Sequence, residues 1–361
     1  MQKMPEGRSL ANLEGLRLIA SVLIVADHYL EYLHLPTRGL HIAVDLFFVI
    51  SGIVIAMIYQ GRIRDLPSYS GFVRKRIARL YPLHLATLLF YVTIGAFIAT
   101  GHVEPANIEK YNPTEIVPNL LMVHAWSPFG VISYNYVSWS ISAEFFVYLC
   151  FPLILYAVTR GFAAGLAVCA TLLLTAIMIS HNVVGTALPE LNWRFGALRA
   201  VPSFAFGVWL WVNRDRLSKV GFLQSHSGSA TLIGMVTTVA LIIFCPSEYL
   251  LLACVYAVAV AAFACDLIGR STFASWAPIS SRGYLTYSIY MLHTVIATIV
   301  ISFIFPVLFG RSLSAILAAV ACSAVLTYAV AYASYWYFET PLRSYIGGKR
   351  PPKTVPASSP S

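Results

Sequence analysis

Charge is what this chain has least of: Asp, Glu, Lys and Arg together make up 11% of its 361 residues, and only 15 residues are acidic. Set against 58% hydrophobic residues, so little charge excludes an ordinary soluble globular protein. No G-x-x-x-x-G-K-S/T and no G-x-G-x-x-G occurs, which excludes the phosphate loop of an ATP-driven machine and the turn of a dinucleotide enzyme. No C-x-x-C and no metal-ligand spacing occurs either. The six cysteines, Cys150, Cys169, Cys245, Cys254, Cys265 and Cys322, all fall in apolar runs and read as small apolar residues. No internal repeat is present, which counts against a transporter built from matched halves. Met1 to Ser9 is short and the apolar run after it is full length, so no cleavable signal peptide is expected.

What is present is a series of apolar runs long enough to cross a bilayer. They predict an all-α polytopic membrane protein with ten spans, near 10–32, 40–60, 80–101, 137–158, 162–182, 199–213, 229–246, 250–268, 284–305 and 313–338. The stretch 115–126 reads as a re-entrant or interfacial piece. Residues 1–346 form one membrane domain, and the Pro/Ser-rich tail 347–361 is expected to be disordered. With the N-terminus inside, 18 Lys and Arg fall in cytoplasmic segments and five outside (Arg38, Lys110, Arg194, Arg199, Arg311), which places both termini in the cytoplasm. The net charge of +9 is largely this bias rather than a nucleic-acid surface.

Within the first run Arg17 and His28 stand eleven residues apart, a step that returns to the same helical face roughly 16 Å further on. Ionisable groups inside a bilayer face a protein interior or a wet cavity, and mark functional sites by default. Depth counting at 1.5 Å per residue puts Arg17 about 10 Å in from the cytoplasm and His28 about 27 Å in. Asp45 and Glu144 share the outer third with His28. A histidine beside a carboxylate accepts a proton from a hydroxyl, the carboxylate fixing its tautomer. Asp45 and Glu144 both stand as orienters of His28, and a structural histidine is the plainer alternative.

The loop 61–79 carries six basic residues against one acid. Positive-inside topology accounts for it, but Arg74, Arg76 and Arg79, with His84 further up, also suit the phosphates of a cytoplasmic anionic donor. Ser138, Trp139, Ser140 and Ser142 open the fourth span with donors for an acceptor sugar or an oxyanion. An interfacial Trp with helix-packing serines is the alternative there. His293 reads equally as a pathway residue or an interhelical hydrogen bond. Glu339-Thr340-Pro341 is expected to end the last helix at the membrane surface.

Taken together, Leu13-Glu14-Gly15-Leu16-Arg17 with His28, Val44-Asp45-Leu46-Phe47-Phe48-Val49-Ile50-Ser51-Gly52, Arg76-x-x-Arg79-x-x-Pro82, Trp139-Ser140-x-Ser142-x-Glu144-Phe145-Phe146-x-Tyr148, Ser288-x-Tyr290-x-Leu292-His293 and Glu339-x-Pro341 resemble the acyltransferase-3 family of membrane O-acyltransferases. The departures, Ala43 where Gly often stands and Ala143 where Val is usual, touch no polar group. The resemblance implies transfer of an acyl group, commonly acetyl from acetyl-CoA, to a hydroxyl of a carbohydrate or other acceptor. It implies that Arg17 and His28 are essential and that Arg76 and Arg79 lie near the donor. Acyl-CoA is thus the expected co-substrate, with no bound cofactor and no metal. A surface carbohydrate such as exopolysaccharide or lipopolysaccharide, possibly lipid-linked, is the expected acceptor, and the bacterial cytoplasmic membrane the expected location. Acylation of a small glycosylated metabolite and a flippase of lipid-linked sugars are the rival readings. Some members carry a C-terminal esterase-like domain; this chain stops too early for one, so any completing step is expected to fall to another protein.

Overall fold

In the computed structural model, residues 10–35, 39–104, 107–244 and 247–348 are described. Lys3, Arg8, Arg38, Cys245, Lys349, Arg350, Lys353 and the expected tail from its third residue onward lie outside them. Helix is the regular structure of the described residues, with no strand among them. The main helices are α1 (Ala11–Glu31), α2 (Ala43–Tyr59), α3 (Leu66–Ala99), α4 (Ile116–Leu120), α5 (Trp139–Val158), α6 (Phe162–Ile179), α7 (Gly196–Val212), α8 (Gly221–Phe244), α9 (Glu248–Ile268), α10 (Thr286–Ala297), α11 (Leu313–Ser334) and α12 (Thr340–Ile346).

Each of the ten expected spans coincides with a helix. Among the described residues eight helical runs are long and apolar enough to cross a membrane, α10 as part of the run Ala277–Phe309. Of the other two, α7 is short at 17 residues, and α1 carries Glu14, Arg17, Asp27 and Glu31, more charge than such composition allows. Yet α1 buries Leu13, Leu16, Ala20 and Ile24 at helical spacing, so one face is packed as a span's would be.

The chain divides into two compact units. The first takes the described residues up to Arg62 together with Leu121–Ile132 and Trp139–Thr286. Within it α7 is central and packs on α2, α5 and α6, while α8 lies along α9. The α2–α7 crossing runs through two glycines. A Cβ on Gly52 would sit 2.2 Å from the Phe204 carbonyl oxygen, and one on Gly207 2.0 Å from that of Val49. In lipid, where apolar transfer offers no drive between helices, such close backbone packing is what holds them together.

The second unit contains Ile63–Leu120, Ser133–Ser138 and the described residues from Tyr287 onward. Here α3 begins at Leu66, so most of the expected basic loop 61–79 is helix. The cause is local: the Asp65 carboxylate accepts from the Ser68 backbone N–H at 2.8 Å, Ser68 Oγ accepts from the Asp65 N–H at 3.1 Å, and Pro67 stands in the first turn. Hydrogen bonding from the Ser68 side chain and then its backbone N–H holds the Asp65 carboxyl below the ordinary carboxylate range. At the other end of the chain, Pro341 does not stop the last helix. A wide π turn over Tyr335–Glu339 precedes it, leaving Pro341 in the first turn of α12, where its missing N–H costs nothing.

The stretch 115–126 splits in two. Its first part, α4, folds back against α3: the Asn119 carbonyl accepts from His84 Nε2 at 2.8 Å, fifteen residues and so about 22 Å back along α3 from Ala99.

Candidate functional site

Arg17 and His28 lie on one unbroken helix, so the eleven-residue step does place them on one face. Their side chains are each 18% exposed. Arg17 Nη1 donates to both carboxylate oxygens of Glu14, at 3.1 and 3.2 Å. His28 Nδ1 is 3.9 Å from Glu31 Oε1, an ion-pair distance too long for a hydrogen bond.

The two carboxylates expected near His28 have different surroundings. Asp45, in the first turn of α2, pairs with Arg199 of α7: Nε and Nη2 donate to its Oδ2 at 3.0 and 2.6 Å, and both side chains are 2% exposed. Ser203 donates to the other oxygen at 3.3 Å. Arg199 also gives Nη1 to the Leu191 carbonyl and Nη2 to that of His41, with the Trp139 ring 5.3 Å from its guanidinium carbon. This buried, satisfied ion pair locks the α2 and α7 ends together.

Glu144 of α5 is only half-buried. Its Oε1 accepts from Ser51 Oγ at 2.7 Å and from Tyr148 OH at 2.5 Å. Both bonds fall on one oxygen, an arrangement that fixes the carboxylate plane while its Oε2 keeps the capacity to accept a proton or a donor.

The serine motif at the start of α5 is divided by role. Ser142 Oγ donates to the Met122 carbonyl at 2.8 Å and accepts from the Ala125 N–H at 3.2 Å, so it ties the 121–126 segment to α5. Trp139 packs edge-on to Phe48 with centroids 6.3 Å apart. Ser140 is buried in the first unit, and Ser138 in the second.

Arg74, Arg76, Arg79, His84 and His293 belong to the second unit. Arg74 is exposed, Arg79 half-buried, and Arg76 buried with its guanidinium carbon 5.9 Å from the Phe72 ring centre. Buried His84 supports the α4 segment, where Asn119 Nδ2 in turn donates to Ser133 Oγ and the Glu115 carbonyl at 2.8 Å each. His293, fully buried, gives Nδ1 to the Tyr290 carbonyl at 2.7 Å. Glu339 accepts from Ser288 at 2.6 Å and Ser334 at 2.9 Å, which joins α10 to the π turn that continues α11. No group of histidine, cysteine and acidic residues suited to a metal occurs among the described residues.

Arg199, Ser51 and Tyr148 are the site-forming residues not anticipated from sequence. Arg199 has a readable signal, since a lone cation at the outer end of a span, at the depth of Asp45, is the partner a buried carboxylate needs. Ser51 and Tyr148 stand in the motifs that carry the family resemblance, but nothing in the sequence marks them as partners of Glu144.

A family model described as an acyltransferase domain matches residues 10–336. Acyltransferase MdmB of Streptomyces mycarofaciens is 37% identical over 158 residues, 40% of this chain and 38% of that relative. Protein 2 in the picA locus of Rhizobium radiobacter is 38% identical over 77 residues, 21% of this chain and 40% of the relative. The matched stretches thus span about two fifths of each relative's length. No solved structure matches. With the family model covering all but the two ends of a polytopic helical chain, the protein belongs to the acyltransferase-3 family.

Proposed function

We propose that this protein is a membrane O-acyltransferase that moves an acyl group, acetyl in the simplest case, from cytoplasmic acyl-CoA to a hydroxyl of a cell-surface carbohydrate such as exopolysaccharide or lipopolysaccharide. The observation that carries the proposal is the shared face of α1, on which a half-buried arginine and a half-buried histidine stand inside a span of an acyltransferase-family chain. His28 takes the proton of the acceptor hydroxyl, and the freed oxygen attacks the thioester carbonyl. The C–S bond breaks, and the imidazolium returns its proton to the departing CoA sulfur, so the step balances without metal or redox partner. Arg17, held through Nη1 by the Glu14 carboxylate, supplies positive charge for the developing oxyanion or the donor. Glu144 is the remaining carboxylate suited to a proton or a tautomer, because Asp45 is spent on Arg199. Arg74, Arg76 and Arg79 are assigned to donor phosphates, with bidentate guanidinium contacts as the reason. Trp139 and Ser140 are assigned to the acceptor.

The test is proton NMR of surface glycans from host cells lacking the protein and complemented with wild type or His28→Ala at matched membrane levels. O-acyl signals should return with the wild type alone, and their chemical shifts identify the sugar. Identical glycan acylation in all three strains overturns the carbohydrate acceptor and moves the search to small glycosylated metabolites.

A further inference from the structure

We infer that Asp266 is a positioning residue: from the end of α9 it caps the N-terminus of α1 and thereby sets the height and tilt of the helix that carries Arg17 and His28. The inference rests on the roles proposed above for those two residues.

The first four N–H groups of a helix need partners from outside it. In α1 the residue at the cap position, Leu10, offers no side-chain acceptor. Asp266 takes its place from 254 residues away. Its Oδ1 accepts from the Asn12 N–H at 2.9 Å and from Asn12 Nδ2 at 2.8 Å, and its Oδ2 accepts from the Leu13 N–H at 3.1 Å. Asn12 extends the latch. Its Nδ2 also donates to the Arg270 carbonyl at 3.0 Å, and its Oδ1 accepts from Thr272 Oγ1 at 2.6 Å and the Thr272 N–H at 3.2 Å. Asn12 is 2% and Asp266 4% exposed, so the bonds form away from water, where each is stronger. One turn further, a Cβ on Gly15 would stand 1.7 Å from the Ala274 carbonyl oxygen, so α1 is pressed onto the same 270–276 segment.

The lever is long. Sixteen residues separate Asn12 from His28, about 24 Å of helix, so a tilt of about 2° at the cap moves His28 by roughly 0.8 Å and Arg17 by roughly 0.3 Å. A displacement of about 1 Å at a reacting group is enough to cost on the order of a hundredfold in rate. The cap therefore governs turnover through His28 more than donor binding.

The experiment uses full-length protein in detergent, radiolabelled acetyl-CoA as donor, and membranes of the deletion strain as acceptor. Rates are taken per folded molecule from the monodisperse fraction. Asp266→Asn keeps the shape but loses the charge and one acceptor. It should lower kcat about tenfold or more, leave the acetyl-CoA KM within about twofold, and speed amide hydrogen exchange across residues 10–17. A cap that only stabilises the fold would change the yield of folded protein and not kcat. Wild-type kcat in Asp266→Asn, with or without faster exchange, overturns the inference, as does a loss confined to KM. Where Asp266→Asn does not accumulate, Thr272→Val, which removes the hydroxyl that holds Asn12 and accepts from the Ala274 N–H, carries the same comparison. His28→Ala run alongside separates the two proposals. Undiminished transfer by His28→Ala refutes its catalytic role and leaves the exchange result standing.

Discussion

At the scale of single residues the molecule separates groups that react from groups that hold. A positioned general base contributes about 100- to 10,000-fold, so His28→Ala should cut acyl transfer by that order while the protein still inserts; initial rates at matched membrane levels measure it. Asp45 should fail differently. Removing either partner of a buried ion pair strands the other charge and costs about 3–5 kcal/mol, so Arg199→Ala and Asp45→Ala should each lower the thermal midpoint of the detergent-solubilised protein sharply. Replacing both partners with apolar residues of similar volume should restore much of that stability. If instead Asp45→Ala keeps its stability and loses turnover, Asp45 acts on the chemistry and Arg199 is its support. The polar groups inside the spans were legible in the sequence because each is anomalous in its own helix. Their pairing was not. Asp45 reached Arg199, and Glu144 reached Ser51 and Tyr148, because partner choice depends on how α2, α5 and α7 rotate against one another, which depth counting does not encode.

At the scale of elements, the α2–α7 crossing and the start of α3 each make a claim. Leucine at Gly52 would have to push the α7 backbone away, so Gly52→Leu should abolish accumulation of folded protein in the membrane, whereas Gly71→Ala, in a position open to solvent or lipid, should be tolerated. Size-exclusion profiles of the two variants make the comparison. The α3 cap has a pH signature. Because the Asp65 carboxyl is held below its ordinary value by Ser68, its stabilisation is fully present above the unfolded value of about 3.9 and is lost as pH falls through the lower folded value. Loss of protection of the Ser68 amide, relative to its intrinsic exchange rate at each pH, is the expected result on acidification and is absent in Asp65→Asn. Hydropathy placed each apolar run on a helix but misplaced this boundary, since an apolar window stops at basic residues while a helix continues through them until its cap. The same limit explains Pro341: the rule against the helical region before proline holds for a regular turn, and the π turn over Tyr335–Glu339 relaxes it.

For the whole molecule the question is which side of the bilayer each end faces, because the donor assigned to this enzyme is made in the cytoplasm. The Lys/Arg bias places the 60–65 turn inside and the 107–112 segment outside. Arg64 and Glu109 are both exposed, one in each of these segments. Among the described residues every native cysteine is buried or half-buried, so with Cys245→Ser as background a single introduced thiol reports its own side. Glu109→Cys should react with a membrane-impermeant maleimide in intact cells, and Arg64→Cys only after permeabilisation. The opposite pattern would turn the basic first turns of α3, with Arg74, Arg76 and Arg79, away from the cytoplasm. Coenzyme A thioesters would then have no access to those arginines, the donor role of that helix would be lost, and its positive charge would need an extracellular anion to account for it. The expected pattern leaves a cytoplasmic polyphosphate donor as the partner that this charge, on this side, is suited to hold.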